Sequence, residues 1–132
     1  MKLLADTSAL LALLWDDDER HPSAVEFRKR NPQARFVLTE LILAELATRG
    51  RVKVGARNAV DFTRDLLRSS RYELILVDID LIQGALGRME RYGDKRLSLT
   101  DCASFEIMER LGIDAAFTFD RDFRDCGYRM VP

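Results

Sequence analysis

The sequence predicts an α/β fold with a mainly parallel central sheet of about five strands. Three observations predict it. Five short apolar runs are spread from end to end. A segment with helical character follows each of the first three runs. Good cap or turn residues stand where the runs give way to helices.

The elements follow in order. Leu3-Leu4-Ala5 reads as a short buried strand. Asp6-Thr7-Ser8 supplies helix N-cap chemistry, and Ala9 to Trp15 reads as a buried helix stopped by the acidic run Asp16 to Glu19. Pro22 suits a first helical position, so Ser23 to Arg30 is a short amphipathic helix. Arg35 to Leu38 is the second strand. Thr39 caps a helix over Glu40 to Thr48, with Gly50 as its stop, and Arg51 to Val54 reads as a basic connection. A helix follows over about Ala56 to Ser69, with Val60, Leu66 and Leu67 on one face. Tyr72 to Val77 is the clearest strand signal, and Asp80 to Arg91 returns to helix before a Gly93-Asp94 turn. Ser98 to Asp101 opens a helix running to Leu111, with Gly112 as its stop. Ala115 to Phe119 is the fourth strand, and Tyr128 to Val131 a weak fifth. With no linker or internal repeat, residues 1–132 read as one domain.

Composition excludes several classes. The chain is 47% hydrophobic and 33% charged, a globular balance rather than a disordered or collagen-like one. No apolar run approaches the ~20 residues that span a bilayer. Asp6 breaks the N-terminal apolar stretch early and no small-residue cleavage site follows, so the expectation is a cytoplasmic protein without a membrane partner. The two cysteines, Cys102 and Cys126, then read as reduced thiols. Charge is uneven. Residues 28–71 carry 11 basic and 4 acidic side chains, against a net charge of −1 for the whole chain. That segment is either a solvated face or a phosphate-facing surface.

Ligands of open parallel sheets bind beyond the carboxyl ends of the strands. Asp6 follows the first strand directly, and Asp120 closes the fourth. Asp101 opens the helix leading into that fourth strand. Glu45 lies in the helix after the second strand, among apolar neighbours, where an ionised carboxylate needs a partner. Converging carboxylates repel unless protons or a cation neutralise them, and hard oxygen ligands suit Mg²⁺ or Mn²⁺. Other catalytic equipment is scarce. His21 is the single histidine, no CxxC pair exists, and neither a P-loop nor GxGxxG occurs. Each acid also has a purely structural reading. Asp6 can be an N-cap, Ser98-x-x-Asp101 an acidic capping box, and Asp120 an Asx-turn. Glu45 can pair with Arg49, four residues on. Asp78 and Asp80 read as turn and helix-start residues. The set in order is more informative than any member.

Four segments carry a resemblance to a known family: Leu3-Leu4-Ala5-Asp6-Thr7-Ser8-Ala9-Leu10, Leu43-Ala44-Glu45-Leu46, Leu97-Ser98-Leu99-Thr100-Asp101-Cys102, and Ala116 to Phe123. Together the pattern resembles a PIN-domain ribonuclease of the VapC type, the toxin of a type II toxin–antitoxin system. The resemblance implies a PIN-like three-layer α/β/α sandwich. It places the four acidic positions on Asp6, Glu45, Asp101 and Asp120, with Asp122 in the same fourth motif. Asp6, Asp101 and Asp120 would bind one or two Mg²⁺ or Mn²⁺ ions, with Glu45 completing the cluster and Ser8 beside Asp6. It further implies hydrolysis of RNA phosphodiester bonds, a cognate antitoxin protein and a homodimer. Arg49, Arg51 and Lys53 are candidates for steering the RNA backbone.

Two other readings are weighed against it. A phosphohydrolase of the haloacid dehalogenase type needs a second Asp two residues after the first, where Ser8 stands. A non-catalytic α/β interaction module keeps the fold but loses one of the acids, and all four are present.

Overall fold

The computed structural model describes residues 1–132. The elements run β1 (Lys2–Ala5), α1 (Thr7–Leu14), α2 (His21–Arg30), β2 (Arg35–Thr39), α3 (Glu40–Val54), α4 (Ala56–Arg68), β3 (Tyr72–Ile75), α5 (Ile79–Arg91), α6 (Leu99–Leu111), β4 (Ala115–Phe117), α7 (Asp122–Asp125) and β5 (Arg129–Val131). The strands form one sheet in the order β3-β2-β1-β4-β5, and every pairing is parallel. Right-handed crossovers put α1 to α4 on one face and α5 to α7 on the other. The packing of α1 on α3, α3 on α4 and α5 on α6 agrees with these two layers. The fold is thus the expected α/β/α sandwich, with a fully parallel sheet.

A sheet covered on both faces needs apolar residues on both sides of its strands. That is why the strand signals are continuous rather than alternating. In register, Leu3 sits beside Phe36, and Ala5 beside Phe117. The rings of Phe36 and Phe117 lie 5.5 Å apart, and Phe27 of α2 stacks on Phe117 at 5.2 Å. Leu4, Val37 and Ala116 alternate with these residues and are also fully buried. Phe105, Phe123 and Tyr128 form a second aromatic group that ties α6, α7 and β5 together.

Three of the boundaries that differ from the sequence expectation have a tertiary reason. The third helix does not stop at Gly50 but runs to Val54, so the basic connection is its last turn. Gly50 is a packing residue, since a Cβ there would stand 2.6 Å from Leu14 Cδ2. The stop is Gly55, at φ 86°, a conformation other residues rarely adopt. β3 ends at Ile75 rather than Val77, because the Val77 amide donates to Glu40 Oε1 at 2.6 Å instead of to the ladder. β4 ends at Phe117 rather than Phe119, and the Phe119 amide donates to Ser8 Oγ at 2.9 Å. The short helix α7 carries too little apolar periodicity in four residues to be read in advance.

Candidate active site

Connections leave β1 and β4 toward opposite faces of the sheet. The point where a doubly wound sheet reverses opens a crevice at the strand carboxyl ends. Asp6 stands at the end of β1 and Asp120 three residues beyond β4, so both lie at that crevice. Glu45 reaches it from α3, and Asp101 from the first turn of α6. All four line one pocket of about 260 Å³, whose ten lining residues include no apolar one. Asp122 joins them there, and Arg49 and Arg96 supply the only positive charges.

The structural readings of these acids hold as well, and they explain the geometry. Asp6 caps α1, Ser98 and Asp101 complete a capping box on α6, and Asp120 accepts from the Asp122 amide at 3.0 Å. Three donors converge on one oxygen of Asp6: Ser8 Oγ at 2.8 Å, Thr118 Oγ1 at 2.8 Å and the Ser8 amide at 3.4 Å. Thr7 Oγ1 donates to Glu45 Oε1 at 2.8 Å, which ties α1 to α3. No ion pair forms between Glu45 and Arg49, so the alternative reading of Glu45 is not realised. Glu45 is half-buried and its neighbour Ala44 is exposed, so its surroundings are less apolar than the sequence suggests.

The result is a common pattern. Each of Asp6, Glu45, Asp101 and Asp120 commits one carboxylate oxygen to a protein donor and keeps the other free. The hydrogen bonds fix the rotamers, and all four carboxylates line the one pocket. Capping and ligation are therefore not rivals here. Oxygen atoms of Asp101, Asp120 and Asp122 approach within 4.8 Å of one another, a spacing at which one cation can be held. Asp6 borders the same pocket outside that trio.

Electrostatics show what the cluster lacks. Asp6 is 5% exposed, and burial pushes its carboxyl above the usual range. The hydroxyls of Ser8 and Thr118 pull it down, and Asp120 pushes it up again. Burial raises Asp101 to about 6, with repulsion from Asp6 and Asp120 adding to the rise. Burial and the neighbouring Asp120 raise Asp122 too, partly offset by Lys95. A site that penalises its own negative charges is one that a cation stabilises.

Thr118, Thr7 and Arg96 escaped the sequence reading. Thr118 had a readable signal, a hydroxyl closing an otherwise apolar strand just before an acid. Its Oγ1 also accepts the Asp120 amide at 3.0 Å, so one side chain links the acid after β1 to the acid after β4. Of the three residues expected to steer a phosphate backbone, only Arg49 borders the pocket. Lys53 is instead placed 4.5 Å from the centroid of the Trp15 ring, in a separate groove, because α3 continues far enough to bring it there. Arg51 is exposed on the last turn of α3, away from the pocket. His21 opens α2 rather than lying in a loop, and its Nδ1 is 2.7 Å from the Ala12 carbonyl.

Residues 3–127 match the family model of the PIN domain. The chain belongs to the PIN domain family. This PIN domain is also 30% identical over 129 residues to the 23S rRNA-specific endonuclease VapC20 of Mycobacterium tuberculosis, covering 98% of this chain and 97% of that protein. Its structure is similar to the crystal structure of M. tuberculosis VapC20, a sarcin–ricin loop cleaving toxin. The TM-score is 0.87 at 28% identity, with 96% and 95% of the two chains covered. VapBC2 from Rickettsia felis, solved bound to a DNA fragment from its promoter, shares the fold at a TM-score of 0.70 and 13% identity, over 98% and 97% of the chains. No helix of this PIN domain is long and apolar enough to cross a membrane.

Proposed function

We propose that this PIN domain is an endoribonuclease that hydrolyses RNA phosphodiester bonds, acting as the toxin of a toxin–antitoxin pair. One observation carries the reading: five carboxylates, four of them held by protein donors with an oxygen left free, line a pocket with no apolar wall. Full-length similarity to an rRNA endonuclease supports RNA as the substrate. The haloacid dehalogenase alternative is not favoured, because Ser8 serves as a ligand holder for Asp6 rather than as a second acid.

An all-oxygen donor set without histidine or cysteine fits a hard divalent cation, and Mg²⁺ or Mn²⁺ is the proposed cofactor. Asp6, Asp101 and Asp120 would hold it, with Glu45 completing the cluster and Asp122 sharing the role of Asp120. When bound, such a cation supplies Lewis acidity toward the phosphoryl oxygen and lowers the pKa of a water. The chain's own residues set the geometry. Ser8 and Thr118 fix the Asp6 carboxylate, Thr7 orients Glu45, and Ser98 holds Asp101 at the mouth of α6. A cognate antitoxin, a homodimeric state, a cytoplasmic location and a single domain over 1–132 complete the proposal.

The test is RNA cleavage by purified wild type and Asp6→Asn with Mg²⁺ or Mn²⁺, with circular dichroism to check the fold. Loss of cleavage in a folded Asp6→Asn protein is expected. Cleavage by Asp6→Asn at the wild-type rate rules the site out.

A further inference from the structure

Two arginines border this pocket: Arg49, a candidate for steering the RNA backbone from its sequence position, and Arg96, which the sequence did not single out. Arg49 lies one helical turn beyond Glu45 on α3. Arg96 lies in the segment between α5 and α6, two residues before the cap Ser98. They approach the pocket from opposite helical layers of the sandwich, with the strand ends between them. Both line it together with five carboxylates, yet neither forms an ion pair or a side-chain hydrogen bond within the chain. Arginine beside acids ordinarily collapses onto them as a paired fork. Here neither guanidinium bonds an acid, although Asp6, Glu45, Asp101 and Asp120 each keep one oxygen free, and both forks are left with every donor free.

Resting on the nuclease reading above, we infer that Arg49 and Arg96 form a two-sided phosphate clamp, gripping the backbone phosphates that flank the scissile one. The charge balance requires something of this kind. A nucleic-acid strand brings one negative charge per nucleotide to a pocket that already holds five acids. A cation among the acids answers only the reacting phosphate. The neighbouring phosphates need separate positive groups on the rim, and the planar guanidinium matches phosphate oxygens in a bidentate way that a lysine does not. Since one arginine stands in each layer, a strand bound by both crosses the crevice from α3 to the α5–α6 connection. That path lays the intervening phosphate over the acids. Both are positioning residues, acting on the strand rather than on the reacting atoms.

The test is binding of a single-stranded RNA oligonucleotide in EDTA, where no cleavage intervenes, as a function of salt. Wild type is compared with Arg49→Gln, Arg96→Gln, Arg49→Lys and the control Arg129→Gln. Arg129 is exposed at the start of β5, at the amino ends of the parallel strands, whereas the pocket lies at their carboxyl ends. Each Gln variant is expected to weaken binding several-fold and to flatten the plot of log affinity against log salt by about 0.7 per lost phosphate contact. Arg49→Lys should keep the slope, because it keeps the charge, but bind less tightly than wild type. Arg129→Gln should change neither. If wild type binds and cleaves RNA but both Gln variants retain its slope, the clamp alone is overturned. If wild type neither binds nor cleaves RNA, the nuclease reading falls and the clamp with it.

Discussion

Two clusters of carboxylates in this protein treat their acids in opposite ways. Between α5 and α6, Arg88 is 4% exposed and its guanidinium bonds Glu106 Oε1 at 2.8 Å and also Glu109. Arg110 reaches the other oxygen of Glu106 at 3.3 Å. Despite burial, these cations hold the Glu106 carboxyl below its ordinary range. At the strand ends, Asp6, Asp101 and Asp122 are all pushed upward, and no cation of the chain pairs with them. The first cluster is complete within the chain and joins two helices. The second is held in place by hydroxyls and amides but left short of positive charge. That difference separates acids neutralised within the chain from acids left without a cationic partner.

The comparison can be broken first at the structural cluster. Arg88→Ala leaves Glu106 buried without its main partner. The expected cost is about 3–5 kcal/mol, read by denaturant unfolding. A cost below about 1 kcal/mol makes the network an exposed-type pair and removes the contrast. Next is the effect of cation. Mn²⁺ at a hundred times its dissociation constant should stabilise the protein by about 2.7 kcal/mol, seen as a rise in Tm. Asp101→Asn should lose most of that rise, and Glu106→Gln should keep it.

A smaller effect tests how the acids are held. Thr118→Val removes one hydrogen bond to Asp6 and one from the Asp120 amide in a buried setting. A loss of about 1–3 kcal/mol in stability is expected, together with slower cleavage, while Thr118→Ser recovers much of both.

A further effect is on pH. Asp101 in the folded protein holds its proton up to about 6, whereas the unfolded chain releases it near 3.8. Between those values the folded state binds more protons, so stability falls as pH rises. In EDTA, Tm should decline across that window for wild type, and Asp101→Asn should decline less. Glu106, held low by Arg88, works the other way and loses its contribution as pH falls through the carboxylate range.

What the sequence reveals follows the range of the interactions concerned. Asp6, Thr39 and Ser98-x-x-Asp101 were legible as caps because capping is settled within a few residues. The parallel sheet was legible because burial on both faces leaves continuous apolar runs. Gly50 misled because its role is set by Leu14, 36 positions earlier in the chain, not by its own helix. The ends of β3 and β4 were overextended because Val77 and Phe119 give their amides to Glu40 and Ser8, far away in sequence. The same holds at the site. The four acids could be named, but the hydroxyl of Thr118 linking two of them, and Arg96 beside Asp101, exist only in the folded chain.

In the proposed function, the uncompensated acids at the ends of β1 and β4 serve a divalent cation in RNA cleavage. The most direct measurement is the rate of RNA cleavage against Mn²⁺ concentration for wild type and Asp101→Asn. Saturable activation of wild type from no activity in EDTA is expected, with a rate lower by more than about a hundred-fold in the folded variant. Equal rates in the two proteins, or full cleavage by wild type in EDTA, would contradict it.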